Sequence, residues 1–303
     1  MAAKKAGLSK GITEAKLGLL LVTPAVLLMI IVAAYPVLSA FRLSMYRYNI
    51  ETPNDTKFVG LDNYLRIFAS QHVMTALTTT ISFTVISVSI EFALGKALAL
   101  VMNRALGWET GIVRVGVLIP WATVTVVTAL AWKWIFTPSL TYHPLKAIYN
   151  GLAPGGCILC GHWTSLLAMV FADVWKTAPF IALLLLAGLQ SIDGEMYEAA
   201  DVDGARPVTK FLKITLPCLK SAIMVALLFR TLDAFRMFDL SYVMTGGAND
   251  TETISTLAYT HMIKRLDMGL GSAISVIIFF MVLAIAFAFT KLLGADLKNV
   301  EAH

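Results

Sequence analysis

The chain has 303 residues, 58% of them hydrophobic and only 14% charged, with a mean hydropathy of +0.76. Soluble domains are about a quarter charged, so this composition excludes an ordinary soluble globular protein and points to a bilayer. The net charge of +5 is scattered rather than gathered into a patch, which excludes a nucleic-acid surface, and three cysteines (Cys157, Cys160, Cys218) are too few for a disulfide scaffold.

The first apolar run, residues 17–40, follows Lys4, Lys5, Lys10 and Lys16. A cleaved leader has an apolar core of about 7–15 residues. This run is longer and continues through Tyr35-Pro36, so it reads as a retained span. Five more segments reach the length of about 20 residues that a membrane helix needs. They cover 76–102, 112–136, 164–190, 219–243 and 270–293. The apolar runs do not alternate as barrel strands do, and hydrocarbon offers backbone groups no partner outside a helix. The expected fold is therefore an all-α integral membrane protein with a six-span domain over 17–293, flanked by tails at 1–16 and 294–303.

Basic residues orient the spans. With the N-terminus inside, Lys4, Lys5, Lys10, Lys16, Arg104, Arg114, Arg206, Lys210, Lys213, Lys220, Lys291 and Lys298 are internal. Arg42, Arg47, Lys57, Arg66, Lys146, Lys264 and Arg265 are external. The excess inside predicts cytoplasmic termini and a cytoplasmic loop at 191–218.

That loop contains the charged stretch EAADVDGARPVTKFLKITLP, residues 198–217. It reads as two short helices. Asp193 or Ser191 caps the first, Gly204 ends it in a left-handed conformation, and Pro207 opens the second. Val208, Phe211, Leu212 and Thr215 recur at helical spacing, and Pro217 is expected to close that helix. Ala199 and Ala200 leave the first helix free to approach another surface closely. Two readings follow from the residues alone: an element that fits a groove on a partner, or an amphipathic helix on the lipid headgroups.

The stretch resembles the EAA motif of ABC importer permeases: Glu-Ala-Ala, three residues, Gly, nine residues, Ile-x-Leu-Pro. Every fixed position is present, at Glu198, Ala199, Ala200, Gly204, Ile214, Leu216 and Pro217. One departure is Asp193-Gly194, where many members start the helix with proline. FVGLDNY, FALGKALALVMNR, ADVWKTAPFIALLLLAGLQSI and RTLDAFRMFDLSYVMTGGANDT extend the likeness to the carbohydrate-uptake, maltose-type branch, and most of all to the first permease subunit of mycobacterial trehalose importers. The resemblance implies the type I importer permease fold in the cell (inner) membrane. It implies a coupling role for the motif residues and Asp203 against an ATPase subunit. It also implies a second permease subunit, two ATP-binding subunits, an extracytoplasmic sugar-binding (lipo)protein, membrane lipids around the spans, and a disaccharide such as trehalose as substrate. No nucleic acid is implied.

No cofactor is expected in this chain. Gly95-Lys96 is followed by Ala97, and no glycine stands five residues before Gly95, so no phosphate-cradling P-loop exists here. ATP and Mg are expected on the partner ATPase subunits.

Charges inside spans need a partner, a wet cavity or a role, because each costs about 2.5–3.5 kcal/mol at mid-bilayer on insertion scales. Glu91 and Lys96 share the second span, with Lys96 able to snorkel. Asp173 and Lys176 can pair along the fourth. Arg230, Asp233, Arg236 and Asp239 follow at steps of three in the fifth. On an unbroken helix Arg230 and Asp239 point in nearly opposite directions, so the whole set cannot line one cavity. Either these groups fix the bundle as ion pairs, or they line a path for sugar hydroxyls. The path candidates are Asp173, Lys176, Asp233 and Arg236, with Trp175, Phe235, Phe238 and Tyr242 offering flat faces. Trp132, Lys133 and Trp134 read as an interfacial belt with a snorkelling lysine. Gly271 and Ser275 read as a close helix contact.

Cys157-x-x-Cys160-x-His162, with His143, has part of a zinc spacing, but a disulfide or incidental loop is the stronger reading and no metal site is expected. No nucleophile–base–orienter set is present, so a transport subunit is expected rather than an enzyme. Two competitors remain. An ion-driven secondary transporter would use Glu91 or Asp173. A polytopic enzyme acting on lipid-linked sugars would have to use scattered candidates such as Asp62, Asp250, Asp267 and His261.

Overall fold

The computed structural model describes residues 14–104, 109–137 and 157–300. The chain opens with α1 (Glu14–Met29), a π-helical turn (Ile30–Ala34) and α2 (Tyr35–Ser44) in one continuous helical run. The widened turn directly precedes Pro36, whose missing N–H would otherwise leave a gap in an α-helical ladder. Most of this run exposes its leucines and isoleucines. It joins the rest of the bundle near Phe41, which meets Phe279 and Phe280 edge to face at 5.9 and 5.7 Å.

A small hairpin follows, β1 (Tyr46–Arg47) against β2 (Lys57–Phe58), antiparallel. Beneath it lies α3 (Asp62–Ala69), held by buried Asn63, whose amide donates to the carbonyls of Ser44 (2.8 Å) and Tyr46 (2.9 Å). The long helices α4 (Gln71–Arg104) and α7 (His162–Gln190) form the central pair, and between them in sequence come α5 (Glu109–Ala122) and α6 (Thr125–Phe136). After α7 come α8 (Gly194–Val202), α9 (Pro207–Lys210), a π turn (Phe211–Thr215), α10 (Leu216–Cys218) and α11 (Lys220–Phe235). The chain ends with α12 (Ile254–Tyr259), a π turn (Thr260–Lys264) and α13 (Met268–Val300).

Among the described residues four helices are long and apolar enough to cross a membrane, and up to six spans result when each of two bent pairs counts as one. The six-span expectation is compatible with this, but two spans are not straight. The third bends by 92° between Arg114–Ala122 and Thr125–Phe136. Pro120 lies just before the break, and its carbonyl accepts from the Thr123 hydroxyl at 2.6 Å. The fifth helix stops at Phe235 instead of running to Val243. No proline or glycine marks that stop. The freed carbonyls find side chains instead: Arg236 Nε donates to Leu232 O (3.1 Å) and the Thr253 hydroxyl to Met237 O (2.9 Å).

The core has three apolar clusters along the bundle. One end holds Ile67, Val73, Leu257 and Ile274; the centre holds Phe83, Leu166, Met169 and Leu240; the other end holds Met102, Ile181, Leu185 and Leu189. Gly95, noted above only as half of a failed phosphate motif, is a close-contact residue. A Cβ there would stand 2.7 Å from Ile181 Cγ2 and 3.1 Å from the Ala178 carbonyl oxygen. Gly95→Ala therefore overpacks the central pair and is expected to cost about 1–3 kcal/mol. Thermal unfolding of the detergent-solubilised protein checks this, and an unchanged midpoint would refute it. Gly271 is a close contact too, as read from the sequence, with Met262 Cγ 2.2 Å from where its Cβ would be.

Candidate functional site

Side chains from three helices converge on Arg230. Ser87 and Glu91 stand one turn apart on α4, Asp173 and Thr177 one turn apart on α7, and Arg230 and Asp233 three residues apart on α11. These spacings put each pair on one helix face, so three faces meet in one layer. Arg230 pairs through Nε with Glu91 Oε2 and through Nη2 with Asp173 Oδ2. Its Nη2 also donates to Glu91 Oε1 (2.9 Å), and Nη1 donates to Asp233 Oδ2 (2.8 Å). Ser87 Oγ lies 2.8 Å from Glu91 Oε1 and 2.6 Å from Asp173 Oδ2, and the Thr177 hydroxyl donates to Glu91 Oε1 at 2.5 Å. The side chains of Arg230 and Glu91 are 3% and 0% exposed, whereas that of Asp233 is 71% exposed. Buried charges at this depth persist only when paired and hydrogen-bonded, and the guanidinium fork supplies both.

Asp233 opens onto a cleft of about 150 Å³, lined among others by Asp173, Lys176, Arg230, Arg236, Phe238 and Asp239. This corrects two expectations. Arg230 and Asp239 do share one cavity, because the helix breaks at Arg236 and helical structure resumes only at Asp239, out of register with the first spiral. Asp173 pairs with Arg230 on another helix, not with Lys176. Within the fifth span, only the Arg230–Asp233 step of the charge series forms an ion pair among the described residues.

Of the aromatic candidates, only Phe238 lines the cleft. Tyr242 stacks behind it at 5.1 Å, and Trp175 turns toward Trp132 at 5.8 Å. Trp132 is half-buried and also packs on Phe136 and Phe171. Lys133 is exposed, and its Nζ donates to the Val243 carbonyl at 2.8 Å. Cys157 and Cys160 form a disulfide, which removes both sulfurs from any metal set. His143 lies outside the described residues.

Ser87 and Thr177 were not picked out by the sequence reading, and Glu91 and Arg230 were noted there without being matched. The available signal was a hydroxyl one turn from each of Glu91 and Asp173.

The second feature is the loop between the fourth and fifth spans. Asp193 caps α8, its Oδ1 accepting from Glu195 N–H at 3.1 Å. At the far end Ala205 N–H donates to Ala200 O (2.9 Å) and Gly204 N–H to Asp201 O (3.0 Å). With Gly204 at φ +71°, this is a Schellman turn. Pro207 starts α9 as expected. The second helix ends at Cys218, one residue past Pro217, and the π turn before the proline absorbs its missing N–H. The two arms are tied by an ion pair between Lys210 and Asp201 and by a hydrogen bond between the Tyr197 and Thr215 hydroxyls at 2.9 Å. Glu198, Ala199, Asp203 and Pro217 are exposed; Ala200, Ile214 and Leu216 are half-buried. Met196, Val202, Val208 and Leu212 present apolar surface outward. Beyond Cys218 the chain bends by 63° into α11, the helix that carries Arg230 and Asp233.

Residues 92–298 match the family described as binding-protein-dependent transport system inner membrane component. The chain belongs to that family. This permease is 49% identical over 288 residues to the trehalose transport system permease protein SugA of Mycobacterium tuberculosis, covering 95% of this chain and 92% of that protein. It is 40% identical over 285 residues to the trehalose/maltose transport system permease protein MalF of Thermococcus litoralis, covering 92% and 94%. Its fold is that of a chain in the crystal structure of a bacterial ABC transporter involved in the import of the acidic polysaccharide alginate, with TM-score 0.76 at 21% identity over 92% of this chain and 95% of that one. The permease is thus a multi-pass membrane protein and a transport subunit, as its relatives are named.

Proposed function

We propose that this permease forms half of the pore of an ATP-driven sugar importer, with trehalose or a similar disaccharide as cargo. The observation that carries this is the exposed Schellman-turn element at residues 194–218, bent directly into the helix that bears Arg230 and Asp233. The near-full-length identity to a trehalose permease supports the cargo. In this reading a second permease chain completes the pore. Two ATP-binding subunits, which carry ATP and Mg, seat the coupling element, and an extracytoplasmic sugar-binding (lipo)protein delivers the sugar. Both termini and the coupling loop face the cytoplasm.

Coupling follows from how the parts are joined. Cross-tied arms let the element move as one body, and its apolar outer face with Ala199 and Ala200 fits a groove. Motion there tilts α11, and α11 holds Arg230 against α4 and α7, so displacement reaches the cleft in rigid-body fashion. Asp173, Lys176, Asp233 and Arg236 supply alternating acceptors and donors for sugar hydroxyls, and Phe238 supplies a face for the ring.

Uptake of labelled trehalose by a host carrying this permease and its partner subunits tests the reading. Uptake is expected to survive a protonophore and to vanish with a hydrolysis-dead ATPase subunit. Uptake that collapses with the ion gradient and ignores the ATPase would overturn it.

A further inference from the structure

At the end of the bundle opposite the coupling element, α3, the start of α4, the π turn at Thr260–Lys264 and the start of α13 enclose a cleft of about 390 Å³. Arg66, Arg265, His72 and His261 line it together with apolar Val73 and Leu270. Arg66 makes no ion pair among the described residues, and there the Arg265 side chain reaches only the His261 ring, at 3.4 Å through Nη1. The neighbouring carboxylates are already engaged. Glu252 accepts from His72 (2.8 Å) and Thr260 (2.8 Å), and Asp267 accepts from Leu270 N–H (3.0 Å). Two long helices begin here, at Gln71 and Met268, and their positive ends add to the field.

His261 gives the second, independent sign. The residue is 7% exposed, its ring lines the cleft, and Nδ1 has no hydrogen-bond partner among the described residues. Burial pushes this imidazole below its ordinary value, which favours the neutral ring. The guanidinium can only donate, so a contact at Nε2 places the ring hydrogen on Nδ1, a donor that lacks an acceptor.

Beside the cleft, Leu61, Leu65 and Phe68 on and before α3 and Ile263 on the π turn expose large apolar surfaces. A basic cleft at the ends of membrane helices, flanked by an amphipathic helix with bare apolar side chains, has the chemistry of the headgroup layer. We infer that this cleft binds the phosphate of an anionic phospholipid, with Arg66 and Arg265 on the phosphate and an acyl chain along Leu65 and Phe68. The site is independent of the sugar and of the coupling loop.

The test uses the assembled importer, equilibrated in micelles with equal parts phosphatidylglycerol and phosphatidylcholine, stripped by detergent exchange and extracted for lipid. The wild type retains phosphatidylglycerol over phosphatidylcholine. The Arg66→Gln/Arg265→Gln variant retains about tenfold less, since each guanidinium–phosphate contact is a charge-assisted pair. Arg66→Lys/Arg265→Lys keeps most of the lipid and controls for folding. Equal retention by the glutamine variant and the wild type overturns the inference. So does a glutamine variant that keeps its lipid but loses docking of the soluble binding protein, since the cleft is then a protein interface.

Discussion

Replacing Arg230 by methionine is expected to lower the stability of the permease by about 3–5 kcal/mol, the usual consequence of removing one partner from a buried charge set. The guanidinium holds Glu91 and Asp173 in a layer with almost no water access, and its donors reach carboxylates from α4, α7 and α11 at once. Methionine fills similar volume, so the loss is electrostatic and not a cavity effect. Two carboxylates bridged by Ser87 would face each other with no cation between them. Lysine cannot substitute, because one ammonium cannot present the planar fork that meets three partners. Scanning calorimetry or a thermal-shift assay on the solubilised complex reads the effect. Adding Glu91→Gln and Asp173→Asn to Arg230→Met should recover much of the loss, and that recovery marks a pairing energy rather than a general packing defect. A melting profile like that of the wild type in the single variant would show that Arg230 does not hold the layer together.

Substituting Gly204 acts on coupling instead. Its φ of +71° lies where a Cβ costs about 1–2 kcal/mol, and a β-branched residue pays most. Among the described residues nothing beyond its chain neighbours stands within 4 Å of where that Cβ would be, so span packing and membrane insertion are expected to be untouched. Gly204→Val should therefore insert normally yet transport about tenfold or more slowly, because the Schellman turn that sets the angle between the two arms is depopulated. Gly204→Asn is the discriminating control, since asparagine tolerates this region. Recovered uptake with asparagine assigns the defect to the turn. Equal loss in both variants assigns it to contact of the glycine with the ATPase subunit, and normal uptake with valine removes the turn from the coupling mechanism. Uptake rates are compared at matched protein levels in the membrane.

The outline of the coupling element was readable because its determinants are local. An aspartate cap, a left-handed glycine and a helix-opening proline act over a few residues, and each was found in its role. Pro217 stands one residue before the end of the second helix, and the widened turn preceding it lets the chain pass the proline without a gap in the ladder. The breaks in the third and fifth spans differ in kind. Pro120 foreshadows the first. Nothing between residues 232 and 240 foreshadows the second, because Thr253 lies far along the chain from the Met237 carbonyl it satisfies. Once that helix stops, the geometry that would send Arg230 and Asp239 to opposite faces no longer applies.

By itself the sequence determined that the chain lives in a bilayer, roughly where it crosses, and that a compact charged element stands between the fourth and fifth spans. These follow from hydropathy over windows and from short-range backbone preferences, which a chain carries wherever its segments go. Only the tertiary structure decided which charges meet. Among the described residues Asp173 and Lys176, three residues apart, form no ion pair, although Arg230 and Asp233 at the same spacing do, and Glu91, Asp173 and Arg230, spread over three helices, close into one layer. A buried charge takes whichever partner the packing of helix faces brings within reach, and that packing is settled by contacts such as Gly95 on Ile181 that no single segment contains.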